Sequence, residues 1–196
     1  MESLGLNASC LVFLPYRWKK WRWVLLLLGL SAGVCAWAGA QDRQTAGWLE
    51  WVVLEPWGIK LKGKLDTGAK TSSLHAVDIE YFQRDNKEWV RFKTFDPRRK
   101  TKPAIIERPL LRDVRIKRHT AAYQERPVVA LDVCLGDRLV TAEFSLIDRR
   151  RFNYPVLLGR SLLKQERILV DATTTYTFDT SPKRCKRLVE SSLRFQ

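Results

Sequence analysis

The sequence is short of several things, and each shortage closes a class of function. It holds two histidines, His75 and His119, in 196 residues. A three-histidine zinc site is therefore excluded, and no His-Glu-x-x-His zinc motif occurs. No phosphate-binding glycine loop followed by Lys-Ser/Thr is present, so nothing argues for ATP. No Gly-x-Ser-x-Gly elbow is present either, which leaves serine-type acyl transfer without a motif. No zinc finger or RNA-recognition motif accompanies the basic charge, so no nucleic-acid partner is expected. No internal repeat and no long linker break the chain. No cofactor is called for.

Acidic residues are also scarce. Lys and Arg number 35 against 21 Asp and Glu, a formal net charge of +14. The first 40 residues contain Arg17, Lys19, Lys20 and Arg22, then the apolar run Val24 to Leu30, then small residues ending in Ala38-Gly39-Ala40 before polar Gln41-Asp42. Basic, apolar, small, polar is the order of a secretory signal peptide. An exported, periplasmic protein is the expectation. The alternative is an uncleaved inner-membrane anchor over residues 21–40, although the apolar core falls short of the ~20 residues a spanning helix needs. Beyond residue 40 the charge is still +11, with basic runs at Arg98-Arg99-Lys100, Arg149-Arg150-Arg151 and Lys183-Arg184-Cys185-Lys186-Arg187. Such an excess suits either association with an anionic membrane surface or attraction of an acidic peptide. Cys134 lies in an apolar run and reads first as a small core residue. An exported compartment would permit a disulfide with Cys185.

Residues 41–196 read as mostly β. Strands are expected at Trp48–Leu54, Ile59–Leu65, Trp89–Phe95, Val114–Lys117, Val128–Leu135, Leu139–Ile147, Pro155–Leu158, Ile168–Val170 and Thr174–Phe178, from alternating or short apolar runs. Gly136-Asp137 and Asp85-Asn86 are hairpin signals. The second reads as an ordinary surface hairpin or as a mobile flap over a site. Ser161–Glu166 suits a short helix, and residues 181–196 read as a basic, loosely held tail. Many short strands at close spacing predict an all-β, closed barrel.

One segment carries chemistry. Leu65-Asp66-Thr67-Gly68-Ala69 ends a predicted strand. Its plain reading is a turn, which Asp and Gly favour. It also resembles the active-site loop of aspartic peptidases. There, two carboxylates about 3 Å apart cannot both ionise and share one proton. Gly68 would allow a tight approach of backbone, and the Thr67 hydroxyl could lock the loop. Val156-Leu157-Leu158-Gly159-Arg160-Ser161-Leu162-Leu163, 90 residues on, resembles the retropepsin segment that packs beneath the Asp loop.

A closer resemblance spans about Gly47 to Tyr176. Gly47-Trp48, Glu50-Trp51, Lys64 to Ala76, Arg126-Pro127-Val128, Pro155 to Arg160 and Leu169-Val170-Asp171 are similar to the bacterial retropepsin-like family often labelled an ATP-dependent zinc protease. The resemblance implies a small retropepsin-like barrel with one short helix over residues 47–180. It implies an aspartic-type endopeptidase with Asp66, Thr67 and Gly68 as the catalytic loop. Ala69, Lys70, Thr71, Ser72 and His75 would then lie along the substrate. Leu157, Leu158, Gly159 and Arg160 would be structural support, with Arg160 a buried ion-pair partner. The plainer reading gives Thr71, Ser72 and Ser73 to loop hydrogen bonds and His75 to structure. Because a member of that family trims glutamate tails from a ribosomal protein, acidic or glutamate-rich peptides are the implied substrate class. Only one Asp-Thr-Gly occurs, so the second carboxylate must come from a second copy, and a homodimer is expected. Two other readings stay open: a non-catalytic binding protein of the same fold, and a metal-dependent hydrolase using Asp66 and His75.

Overall fold

The computed structural model describes residues 43–99, 102–117 and 123–193. The expected signal or anchor segment and His119 lie outside the described residues.

The strand that carries the Asp motif shows why a barrel forms. In Ile59–Asp66 the side chains alternate: Leu61, Gly63 and Leu65 are buried, whereas Lys60, Lys62, Lys64 and Asp66 face outward. Such a strand can bury one face only, and the chain closes on itself to cover it. Numbering in chain order, β1 is Gln44–Glu55, β2 Ile59–Asp66, β3 Ser72–His75, β4 Val77–Arg84, β5 Lys87–Thr94 and β6 Ala104–Pro109. β7 is Arg112–Lys117, β8 Tyr123–Leu135, β9 Arg138–Ile147, β10 Val156–Gly159 and β11 Ile168–Thr175. α1 is Arg160–Gln165 and α2 is Pro182–Leu193.

Six strands close the barrel in the order β1, β2, β10, β3, β9, β8, and β8 pairs back with β1 through Val53–Cys134 and Glu55–Asp132. β11 extends the outer edge of β1 in parallel, and β7 flanks β8. Leu61, Leu74, Val129, Leu131, Phe144, Leu146 and Leu158 fill the interior, each wholly or almost wholly buried. Each such side chain contributes about 1.5–3 kcal/mol of burial. β4, β5 and β6 form a separate three-stranded sheet. Asp85 and Asn86, at φ 51° and 57°, make its hairpin turn, a conformation that Asn and Asp accept more readily than most residues.

The C-terminal segment corrects the sequence reading. It is not a loose tail but a helix, the second of the described residues. Ser181 accepts the Arg184 N–H through its hydroxyl, and Pro182 occupies the first turn. Cys185 forms a disulfide with Cys134. Both cysteines are fully buried, so Cys134 is a core residue and a cross-link at once. Residues 168–175 form one strand rather than a strand, a break and a second strand. No helix among the described residues is long and apolar enough to cross a membrane.

Candidate active site

β2 ends at Asp66, and the chain turns through residues 67–71 before re-entering the sheet as β3. Between β2 and β3 lies β10. It runs parallel to β2, with Leu158 opposite Leu65 and Gly159 opposite Asp66, and antiparallel to β3, with Leu157 opposite Ser73. The loop therefore straddles the end of β10, and the residues that follow β10 are delivered beneath it.

Those residues clamp the loop. The Arg160 guanidinium donates to the carbonyls of Thr67 and Gly68, each at 2.8 Å. The Arg160 and Ser161 amides donate to the carbonyls of Ala69 and Lys70. The Ser161 hydroxyl donates to the Lys70 carbonyl at 2.9 Å. The Gly159 amide donates to the Ser72 hydroxyl at 3.1 Å. Only glycine fits at 159, because a Cβ there would lie 2.6 Å from the backbone of Thr71. Arg160 is exposed and serves as a carbonyl clamp, not as the buried ion-pair partner expected from sequence. Thr67 contributes its carbonyl; among the described residues its exposed hydroxyl makes no hydrogen bond.

The carboxylate is held from within the loop. Gly68 N–H donates to Asp66 Oδ1 at 2.9 Å, and Ala69 N–H to the Asp66 carbonyl at 3.3 Å. A Cβ at residue 68 would stand 3.1 Å from Oδ1, so glycine keeps that oxygen uncrowded. Lys64, two residues back on the same face of β2, places Nζ 3.3 Å from Oδ2. Burial alone would raise the Asp66 pKa. The Gly68 and Ala69 amides and the Lys64 ammonium outweigh it and hold the carboxyl below the usual range. About a quarter of the side chain remains open to solvent.

The other expected contact residues divide. Ala69, Lys70 and Thr71 keep some exposure. Lys70 and Thr71, with Leu111, Arg112 and Glu143, line a cavity of about 600 Å³ beside the loop. Ser72 and His75 are buried, and Ser72 also lines that cavity. Both also hold the strand in the sheet. The Ser72 carbonyl accepts the Ser145 hydroxyl. The His75 ring lies edge-on to Phe95, and its Nδ1 accepts the Arg149 N–H at 3.0 Å. Burial pushes the His75 pKa down, with Asp148 opposing. Among the described residues no cluster of three or more His, Cys, Asp or Glu is spaced to hold a metal ion.

One charged residue near the loop carried no motif. Arg149 is buried, donates to Ser73 Oγ at 2.6 Å and to the Tyr154 carbonyl at 3.0 Å, and lies within electrostatic reach of Asp66. Burial, and then the neighbouring Arg126, push its pKa down to about 10, while Asp66 opposes. In sequence it is one of three consecutive arginines, and nothing distinguishes the buried one.

A family model described as "RimB-like: Retropepsin-like aspartic endopeptidase RimB" matches residues 45–181. A curated relative named "Probable alpha-L-glutamate ligase" from Desulfotalea psychrophila is 33% identical over 66% of this chain. Proteins of the same name from Parasynechococcus marenigrum and Shewanella halifaxensis are 34% and 31% identical over 62% and 65% of it. The chain spans only 26–28% of the length of these relatives. They are named as ligases, not as zinc proteases. The crystal structure of a Legionella pneumophila protein of unknown function superposes with a TM-score of 0.62 at 35% identity, covering 69% of this chain and 98% of that one.

Proposed function

This chain belongs to the RimB-like family of retropepsin-like aspartic endopeptidases, and we propose that it is itself a peptidase, with Asp66 as the reacting carboxylate. The observation that carries this reading is the contrast within one loop. Its backbone is fixed by Gly159, Arg160 and Ser161, while the Asp66 carboxylate it presents is held by amides and one lysine and left partly open. A binding protein would not need so rigid a carboxylate.

The chemistry requires a second carboxylate, which a two-fold homodimer supplies by setting Asp66 against its symmetry mate. The pair then binds one proton between them. The charged member removes a proton from water, and the water oxygen bonds to the scissile carbonyl carbon. The protonated member donates to the carbonyl oxygen. Collapse of the tetrahedral species breaks the C–N bond, and the amine leaves with a proton returned from the pair. Lys64 favours the ionised form.

Acidic peptides are the proposed substrates. The relatives are named for joining α-L-glutamate, and a segment like this chain forms about a quarter of each. The ligase activity belongs to those longer proteins. What supports a common substrate chemistry here is the excess of positive charge. The proposed compartment is the periplasm, reached through residues 1–40. The Cys134–Cys185 disulfide supports an oxidising environment.

The test is a digest of a peptide library by the parent and by Asp66→Asn, each with and without a chelator. The asparagine keeps the shape but removes the negative charge, so a loss of about 10²–10⁴ in rate is expected. Chelation should change nothing. Turnover abolished by chelation and restored by zinc would replace this reading with the metal-dependent one.

A further inference from the structure

We propose that the outward face of β2, with Trp51, Tyr176 and Arg99, is an exosite that binds an acidic stretch of polypeptide and leads it to Asp66. The inference rests on the peptidase reading for its direction of travel, but not for the binding itself.

The first observation is the row. Lys60, Lys62, Lys64 and Asp66 occupy the same face of one strand. Residues two apart on a strand are about 6.6 Å apart, so the row is about 20 Å long. An extended peptide has the same two-residue period, so alternate carboxylates of a bound acidic strand can meet successive lysines. The row ends at the site, where the Lys64 ammonium already touches Asp66.

The second observation is how the cations are held. Trp51 on β1 stands opposite Lys62 in the ladder. Lys60 Nζ lies 4.6 Å, Lys62 Nζ 5.7 Å and the Arg99 guanidinium carbon 4.8 Å from the Trp51 ring. Tyr176 stacks on the same ring at 5.3 Å, and Lys62 also lies over Tyr176. Cation–π contact pins these side chains but does not neutralise them. Among the described residues neither Lys60 nor Lys62 has an ion-pair partner, whereas Arg99 pairs with buried Asp96 at 3.7 Å. The three-stranded sheet behaves differently: Arg84 and Arg91 share Glu107, and Lys93 pairs with Asp78. Crowding like charges around one aromatic raises their free energy, and an anion laid across them lowers it. A lipid surface would take any basic face, including α2. A row that runs into the reacting carboxylate fits a peptide.

The experiment uses full-length Asp66→Asn protein, which binds without turnover, and fluorescein-labelled hexaglutamate, about 20 Å long when extended. Adding Lys60→Gln and Lys62→Gln should weaken binding about tenfold, as the loss of two partly exposed ion pairs allows. Trp51→Leu should also weaken it, and the affinity should fall with salt. Lys183→Gln with Lys186→Gln, on α2, should leave it unchanged. Vesicles of phosphatidylserine serve as the second probe. Hexaglutamate affinity unchanged in the Lys60/Lys62 variant overturns the proposal, as does a variant that loses vesicle binding while holding the peptide. If the parent holds hexaglutamate through these lysines but cuts no peptide, the peptidase reading fails and the exosite stands.

Discussion

Two aspartates sit at the ends of barrel strands in nearly the same local geometry, and only one of them lies in the loop proposed to be catalytic. Asp66 is the last residue of β2, and its Oδ1 accepts the amide of residue 68 at 2.9 Å. Asp148 follows β9, and its Oδ1 accepts the amide of residue 150 at 3.0 Å. Both carboxyls are held below the usual range. The difference is the residue two positions on. Arg150 turns its guanidinium back onto Asp148, with Nε 2.8 Å from Oδ2, and the carboxylate is spent on its neighbour. Gly68 has no side chain to do this. In addition, the Asp66 loop is clamped from the next segment through Gly159 and Arg160, whereas the Asp148 loop is held by the turn from Arg149 to Phe152 and by Arg149 itself, through His75, Ser73 and Tyr154. A carboxylate in such a turn is common. A clamped turn whose carboxylate meets one lysine at 3.3 Å, rather than a guanidinium folded back onto both oxygens, is what sets Asp66 apart.

The sharpest way to break this comparison is to neutralise each aspartate in turn. Asp66→Asn should lower kcat/KM by about 10²–10⁴. Asp148→Asn, at a side chain 41% exposed, should stay within the two- to threefold that a surface change of about 0.5 kcal/mol allows. Equal losses would show that the two loops are not distinguished as argued.

The next effect is on the clamp. Gly159→Ala forces a Cβ to within 2.6 Å of the Thr71 backbone. Overpacking of this kind costs about 1–3 kcal/mol, measurable as a lower midpoint in urea, and activity should fall with it. Val156→Ile, in the same strand but facing the core, separates a general packing loss from loss of the clamp. It should lower stability while leaving kcat near that of the parent.

The smallest effect concerns protons. Among the described residues Lys64 is the one side-chain cation bonded to the Asp66 carboxylate. Because the folded pKa of Asp66 is depressed, its stabilising contribution is present above the usual carboxylate range. That contribution is lost as the pH falls through the depressed value. Lys64→Met should therefore shift the acid limb of the activity profile to higher pH and narrow the stable range at its acid end. Arg150→Met, which releases Asp148 instead, should leave the activity profile in place.

Much of the barrel was legible because its strands follow simple periods. β2 alternates over its whole length, and Asp85-Asn86 and Gly136-Asp137 mark real hairpins. The Asp loop and the Leu157–Arg160 segment were legible as a pair, and the structure places them in register. What escaped depends on tertiary neighbours. Ser72–His75 is too short and polar to read as a strand, and it becomes one because β10 and β9 flank it. β6 was missed beside Pro103 and Pro109. The C-terminal helix had a start signal in Ser181-Pro182, but its basic composition hid it. The roles of Arg149, Arg160 and the two cysteines depend on through-space distances that no spacing encodes.

Subunit mixing shows whether two copies of Asp66 form one site. A fixed amount of parent protein is equilibrated with increasing Asp66→Asn protein, and the peptide-cleaving rate is followed. With a shared site, activity per parent chain falls towards zero as mixed dimers replace parent dimers. Activity per parent chain that stays constant at every ratio would contradict it, and the reaction would then belong to a single chain.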